Sequence, residues 1–160
     1  FFVVSSGETD TGIIGKSDIR SKIFKSNTIT IDMFGSSYFR SYEYKMVTHA
    51  RVFSLTFINR KLSREEGLYI LAQLQFLKNF YSYSNMASWK KVKNEKITLP
   101  ITKTGEIDFK YMAARIRELE AARIRELEAY LVATGLSDYH LTEEDKSLLR
   151  KFRERERGLN

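Results

Sequence analysis

The octet Ala-Ala-Arg-Ile-Arg-Glu-Leu-Glu stands twice in tandem, as residues 113–120 and again as residues 121–128, inside a stretch with no Gly or Pro from residue 107 to residue 134. Nothing there interrupts a helix, and apolar residues return at three- and four-residue intervals, so the segment reads as one continuous helix. Asp108 is placed to cap its start and Gly135 to close it just past the last turn. About 26 residues at roughly 1.5 Å each make a rod of about 40 Å, longer than a small domain needs for its own core. A rod of that length sets the distance between two objects.

On a helical wheel Phe109, Met112, Ile116, Leu119, Ile124, Leu127, Tyr130 and Leu131 fall within an arc of about 140° at 100° per residue, a single apolar stripe. Packing on the helix's own domain is the plain explanation of such a stripe. The repeat argues against it, because eight residues make two turns plus about 80°, so the stripe winds around the rod instead of facing one flat surface. A partner helix that winds with it is the better match, with Met112, Ile116, Leu119, Ile124, Leu127 and Leu131 as contacts. Glu120 and Arg123 fall inside the stripe three residues apart, where a pair would fix register.

Charge divides the chain in the same place. Residues 1–107 carry 16 Lys and Arg against 9 Asp and Glu, a net of +7, whereas residues 108–160 carry 11 of each. A basic body joined to an electroneutral arm suggests a body that meets a polyanion and an arm that meets protein. At 160 residues, 42% of them apolar and 13% aromatic, the chain holds one real core, and disorder is excluded. We divide it into a body at 1–107, a spacer or dimerisation helix at 108–135 and a helical segment at 136–160. There is no Cys, hence no disulfide and no thiol chemistry, which fits a cytoplasmic protein. No apolar run reaches a membrane span and no signal peptide is visible. The opening on Phe1, without a polar lead-in, is what a fragment with upstream strands would show.

Within the body, residues 1–4, 28–34, 51–57 and 96–99 read as strands, the last ended by Pro100. Residues 5–12 are a cluster of turn formers. Ser63 and Glu66 form a capping box that opens a helix running to about residue 81, and 84–91 reads as a short helix. Thr142 starts a last helix, acidic in its first turn and basic beyond it. The fold class is therefore α+β, a mixed-sheet domain followed by a long helix.

Three chemical readings compete. Asp32 followed by Glu43-Tyr44-Lys45 has the spacing of metal-dependent nucleases, in which two carboxylates hold Mg²⁺ and the Lys orients a water. The pattern is short and arises often by chance. The near Walker sequence at residues 12–17 has two residues between its glycines where four are required, and His49 and His140 lack ligand-spaced companions. Nucleic-acid binding has better candidates, since residues 36–45 interleave aromatics, hydroxyls and bases and residues 89–94 add three cations. Ser36, Ser37, Arg40, Tyr44, Lys45, His49, Lys90, Lys91 and Lys93 are the DNA-binding candidates, cations for phosphates and Arg and Ser for base edges. An ordinary cationic surface over core aromatics is the plain alternative, and a protein-only coiled-coil adaptor is the third reading.

From residue 85 onward the sequence resembles a known family. Trp89-Lys90-Lys91-Val92-Lys93-Asn94-Glu95-Lys96-Ile97-Thr98-Leu99-Pro100, then residues 105–112, then 123–131 and 134–136, look like the end of a target recognition domain and its helix in the specificity subunits of bacterial restriction-modification systems. Residues 28–35 and 42–55 look like the body of the same domain in the Type I and related half-subunit form. The resemblance implies a non-enzymatic reader of double-stranded DNA that docks methyltransferase subunits, which hold S-adenosylmethionine and modify adenine. It also implies, where one exists, a restriction subunit. In that family two recognition domains are separated by a pair of antiparallel helices, an antiparallel coiled coil, and each reads one half of a split site. One domain and one arm then make either half of a two-domain subunit or a half-subunit that self-associates.

Overall fold

The computed structural model describes residues 1–47, 49, 51–136 and 140–157, the last six of these by backbone alone. The chain packs as two compact units, Phe1–Leu119 and Glu120–Asn160, and the division falls inside the long helix.

Two three-stranded sheets build the first unit. β1 (Phe2–Val4) lies between β2 (Ile13–Lys16), antiparallel to it, and β5 (Tyr44–Met46), parallel to it. β3 (Thr28–Ile31) lies between β4 (Ser37–Arg40) and β6 (Phe53–Leu55), antiparallel to both, with Thr30 opposite Tyr38 on one side and Ser54 on the other. Thr and Ile alternate along β3, yet all four residues are buried. Ile29 and Ile31 enter the core, and the threonines are covered too, Thr28 by the Tyr44 hydroxyl at 2.9 Å and Thr30 by the Arg40 guanidinium at 2.9 Å. A polar half of an alternation is here a second interior, satisfied by hydrogen bonds.

The capping box is present. The Ser63 hydroxyl accepts the Glu66 N–H, and the Glu66 carboxylate accepts the Ser63 N–H, opening α1 (Arg64–Leu74). The helix expected to reach residue 81 changes to a 3₁₀ turn at Gln75–Asn79. Its Ile70 and Leu74 join Ile29, Ile31, Leu62, Leu77, Tyr81, Val92 and Met112 in the core. The short helix expected at residues 84–91 is a single turn, α2 (Trp89–Val92). The strand expected at 96–99 does not form. Ile97 and Leu99 lie half-buried against the core without a neighbouring strand, and the bridge falls instead between Ile101 and Ile107.

α3 (Phe109–Ala133) spans 25 residues. The Asp108 carboxylate accepts the Tyr111 N–H at 2.8 Å and caps it. Gly135, at φ +71°, ends it, donating to the Val132 carbonyl while Leu136 donates to that of Leu131, a Schellman closure. α4 (Glu143–Arg157) is opened by a reciprocal pair between Thr142 and Asp145. The apolar stripe of α3 divides. Met112, expected to face a partner helix, is fully buried in the body's own core, because the first turns lie against it, and Ile116 is half-buried. Leu119, Ile124, Leu127, Tyr130 and Leu131 are between 41% and 62% exposed. The coupling of the arm's first turn to the body is aromatic and ionic. The Arg60 guanidinium lies 3.6 Å from the Phe109 ring centre and is paired with Glu66 at 2.7 Å, while Phe57 meets Phe109 edge-on.

Gly35 closes the turn after β3 at φ +81°, and a Cβ there would stand 2.6 Å from the Leu77 carbonyl group. Both a left-handed backbone and a collision with main chain oppose any side chain, so Gly35→Ala should destabilise the body by about 2–4 kcal/mol. A urea midpoint unchanged from that of the parent chain would contradict this packing.

Candidate nucleic-acid interface

Asp32 organises the turn that follows β3. One carboxylate oxygen accepts the N–H groups of Phe34 and Ser36, each at 2.9 Å, and the other accepts the Gly7 N–H at 2.9 Å. A buried carboxylate holding three backbone donors is satisfied as a structural element, and its oxygens are already committed. Glu43, its proposed partner for a metal, is exposed on a different cleft of about 470 Å³ shared with Lys25, Asn27, Arg60 and Lys61. Lys45, the third member, is buried and donates to the Ser17 and Ile19 carbonyls at 3.2 and 2.5 Å. The geometry thus commits Asp32 and Lys45 to structural hydrogen bonds and sets Glu43 on a separate cleft. Among the described residues no group of three or more His, Cys, Asp or Glu side chains could hold a metal ion.

Five of the nine DNA-binding candidates are likewise inside. Ser36 donates to Glu8, and Ser37 to the Gly35 carbonyl. Arg40 donates through Nε to Thr30 and through Nη2 to the Thr11 carbonyl at 2.7 Å, with Nη1 near the Thr11 and Tyr42 hydroxyls. The Tyr44 hydroxyl crosses from the first sheet to the second, bonding Thr28 at 2.9 Å and Ser54 at 2.7 Å. Asp32, Arg40 and Lys45 therefore converge on one object, the segment from residue 5 to residue 19, and fasten it at Gly7, Thr11, Ser17 and Ile19. Lys78 adds an external tie to Glu8 at 2.7 Å, and its ammonium holds the Glu8 carboxyl below the usual carboxylate range. This explains how Asp10 and Thr11 keep left-handed φ values of 45° and 53°, which non-glycine residues adopt only when the surroundings enforce them.

The remaining candidates are at the surface. Lys90, Lys91 and Lys93 are exposed around α2, and His49 is exposed in a turn. Lys91 reaches back to the Asn85 side chain at 2.6 Å and the Met86 carbonyl at 2.9 Å. That folds residues 82–88 into a loop beside Trp89, and with Arg51 and Phe53 the loop lines an open cleft of about 640 Å³. The Asp32 turn supports the cleft from behind: the Met33 carbonyl accepts the Ala87 N–H at 2.8 Å, and Phe34 meets Tyr83 edge-on. Sequence reasoning missed Arg51, Tyr83 and Met86. The Ser-Tyr-Ser-Asn run at 82–85 was the available signal, a loop composition inside what reads as a short helix. Also missed was the exposed run from β2 into the link that follows it, where Ile14, Ile19 and Ile23 alternate with Lys16, Arg20, Lys22 and Lys25.

The family model for the Type I restriction modification DNA specificity domain matches residues 3–129. The chain belongs to this family. The matched stretch takes in both sheets, the Trp89 cleft and both octets of α3, so the specificity domain includes most of the arm as well as the body. It is a DNA-recognition module of a restriction-modification system. No curated protein and no solved structure matched the chain. No helix among the described residues is long and apolar enough to cross a membrane.

Asp32→Ala orphans three N–H groups, one of them in a buried residue, and should cost about 3 kcal/mol, whereas Asp32→Asn keeps an acceptor for Phe34 and Ser36 and should cost less. Urea unfolding of both variants checks the order. Wild-type stability in Asp32→Ala would remove the structural role and return the residue to candidacy for catalysis.

Proposed function

We propose that this specificity domain reads one half of a bipartite DNA site, that its arm pairs with an antiparallel second arm, and that the assembly docks methyltransferase subunits. The observation that carries the reading is the uncovered stripe of α3. Leu119, Ile124, Leu127 and Leu131 stay half-exposed on a helix whose first turns are already buried, and apolar rows of this kind are closed by a partner. Glu120 and Arg123 lie within that row; Arg123 is placed on Glu126 by a side-chain ion pair, which leaves the flank electroneutral and suited to a helix of the same composition.

The body contributes DNA binding. Its net charge of +7 over residues 1–107 favours phosphate contact irrespective of sequence. Lys90, Lys91, Lys93 and His49 are the four of the nine candidates that meet DNA from the surface. Ser36, Ser37, Arg40, Tyr44 and Lys45 act on it only by holding the strands and the segment 5–19 in place. Catalysis belongs to the docked subunits: S-adenosylmethionine binds the methyltransferase, a restriction subunit cleaves where the system has one, and the chain supplies address and spacing. A cytoplasmic location follows from that work.

The rod is the ruler in this reading, and the octet is its graduation. Removing residues 121–128 shortens α3 by about 12 Å, on the order of 3–4 base pairs along B-DNA, and turns the helix beyond the deletion by about 80°. Methylation-site mapping of the deletion variant with its methyltransferase should return the same half-site bases at a changed spacing, or no joint recognition where the rotation carries one domain off its groove. The parent spacing at full activity would mean that the arm does not measure distance.

A further inference from the structure

The cleft beside Trp89 has walls and a rim of different chemistry. Trp89 is 55% exposed, and Tyr83, still more exposed, is met edge-on by Phe34. Met86 and Ala87 complete an apolar lining. Arg51 and Lys91 stand at its edge, Arg51 with Nη1 3.0 Å from the Met86 sulfur. Neither cation makes an ion pair with a described residue, and the same holds for Lys90 and Lys93. Such a site presents flat aromatic faces within and uncompensated positive charge without.

Shape decides what can enter. Base edges in an intact duplex lie at the bottom of grooves, so they are read by elements that protrude, a helix, a ribbon or a side chain at a loop tip. A recess cannot meet a recess. What projects from DNA is a phosphate or a base drawn out of the stack. A phosphate alone has no use for the apolar walls. A base uses them fully, because aromatic side chains stack on the face of any base, while the phosphates on either side of it meet cations at the rim.

We propose that this cleft takes one unstacked nucleotide of the DNA, its base against Trp89 and Tyr83 and its flanking phosphates on Arg51 and the cations of α2. The inference rests on the DNA-reading function proposed above and adds that the chain holds a locally opened strand. Trp89 is then a positioning residue for DNA.

Trp89 is the sole tryptophan of the chain, so its fluorescence reports on this cleft alone. The full chain is titrated with three probes of one sequence: a paired duplex, the same duplex with a single bulged adenine, and the single strand. Affinity comes from the anisotropy of a label on the DNA, and tryptophan emission is read in parallel. The bulged duplex should bind more tightly than the paired one and quench Trp89. Trp89→Ala should weaken the bulged complex by roughly 5- to 150-fold, the range for one base-stacking contact, and abolish most of the preference. Trp89→Phe, which keeps an aromatic face, should retain it. Equal affinity for paired and bulged duplex, with Trp89 emission unmoved and Trp89→Ala without effect, would overturn the cleft assignment while leaving the DNA reader standing. Failure of all three probes to bind would overturn both.

Discussion

Met112 is fully buried in the core of the body, and two turns later along the same stripe Leu119 stands about half exposed. Between them α3 changes from a core element into an exposed one, and most of the architecture depends on where that change occurs. Phe109 is gripped by Arg60 and Phe57, and Arg60 is itself held by the Glu66 carboxylate that caps α1. Arg117 comes within 3.9 Å of Glu65, one residue earlier on α1. The arm therefore starts from a helix cap and a core residue. Beyond Leu119 the helix continues from turns already formed against the body, and its large apolar residues stay exposed.

Inside the body the governing constraint is electrostatic. Arg40 and Lys45 are buried cations that donate to carbonyls and hydroxyls, and Asp32 is a buried carboxylate held by backbone N–H groups. Burial of a charge is tolerated only when its hydrogen-bonding capacity is filled. Each of these side chains fills part of it with main chain from residues 5 to 19. The charges thus help fix the path of a segment that holds both the left-handed turn at Asp10 and Thr11 and the strand β2. The Asp32 turn also sets the Met33 carbonyl and the Phe34 ring behind the Trp89 loop, so one carboxylate orders two surfaces of the body.

Legibility in the sequence tracked the range of the interactions. Four helix ends were readable because their chemistry is local: Ser63 with Glu66, Asp108 with Tyr111, Gly135 with its preceding turn and Thr142 with Asp145 each act across a few residues, whereas the end of α1 and the start of α2 carry no such signal. The periodicity of the stripe was readable, but not that its first turns, with Met112, pack on the body itself. The interior of residues 36–45 was not, since Arg40 finds its partner at Thr11 and Lys45 at Ser17 and Ile19, contacts that no spacing rule anticipates. Two short strands, β4 and β5, hid there behind a composition that equally describes a DNA-binding loop. The strand expected at residues 96–99 has the right pattern and lacks a neighbour, and a strand without a ladder partner is only extended chain. Arg51 reached the cleft from a distant part of the sequence, a contact equally invisible to local pattern.

Sedimentation equilibrium of the isolated chain at high micromolar concentration bears most directly on the central claim that α3 carries an apolar row made for a second arm. The account predicts a concentration-dependent rise toward twice the chain mass, reversed to the single-chain mass by Leu119→Glu with Leu127→Glu, while the body stays folded. A wild-type chain that remains monomeric across that range, with the double substitution changing nothing, would contradict it.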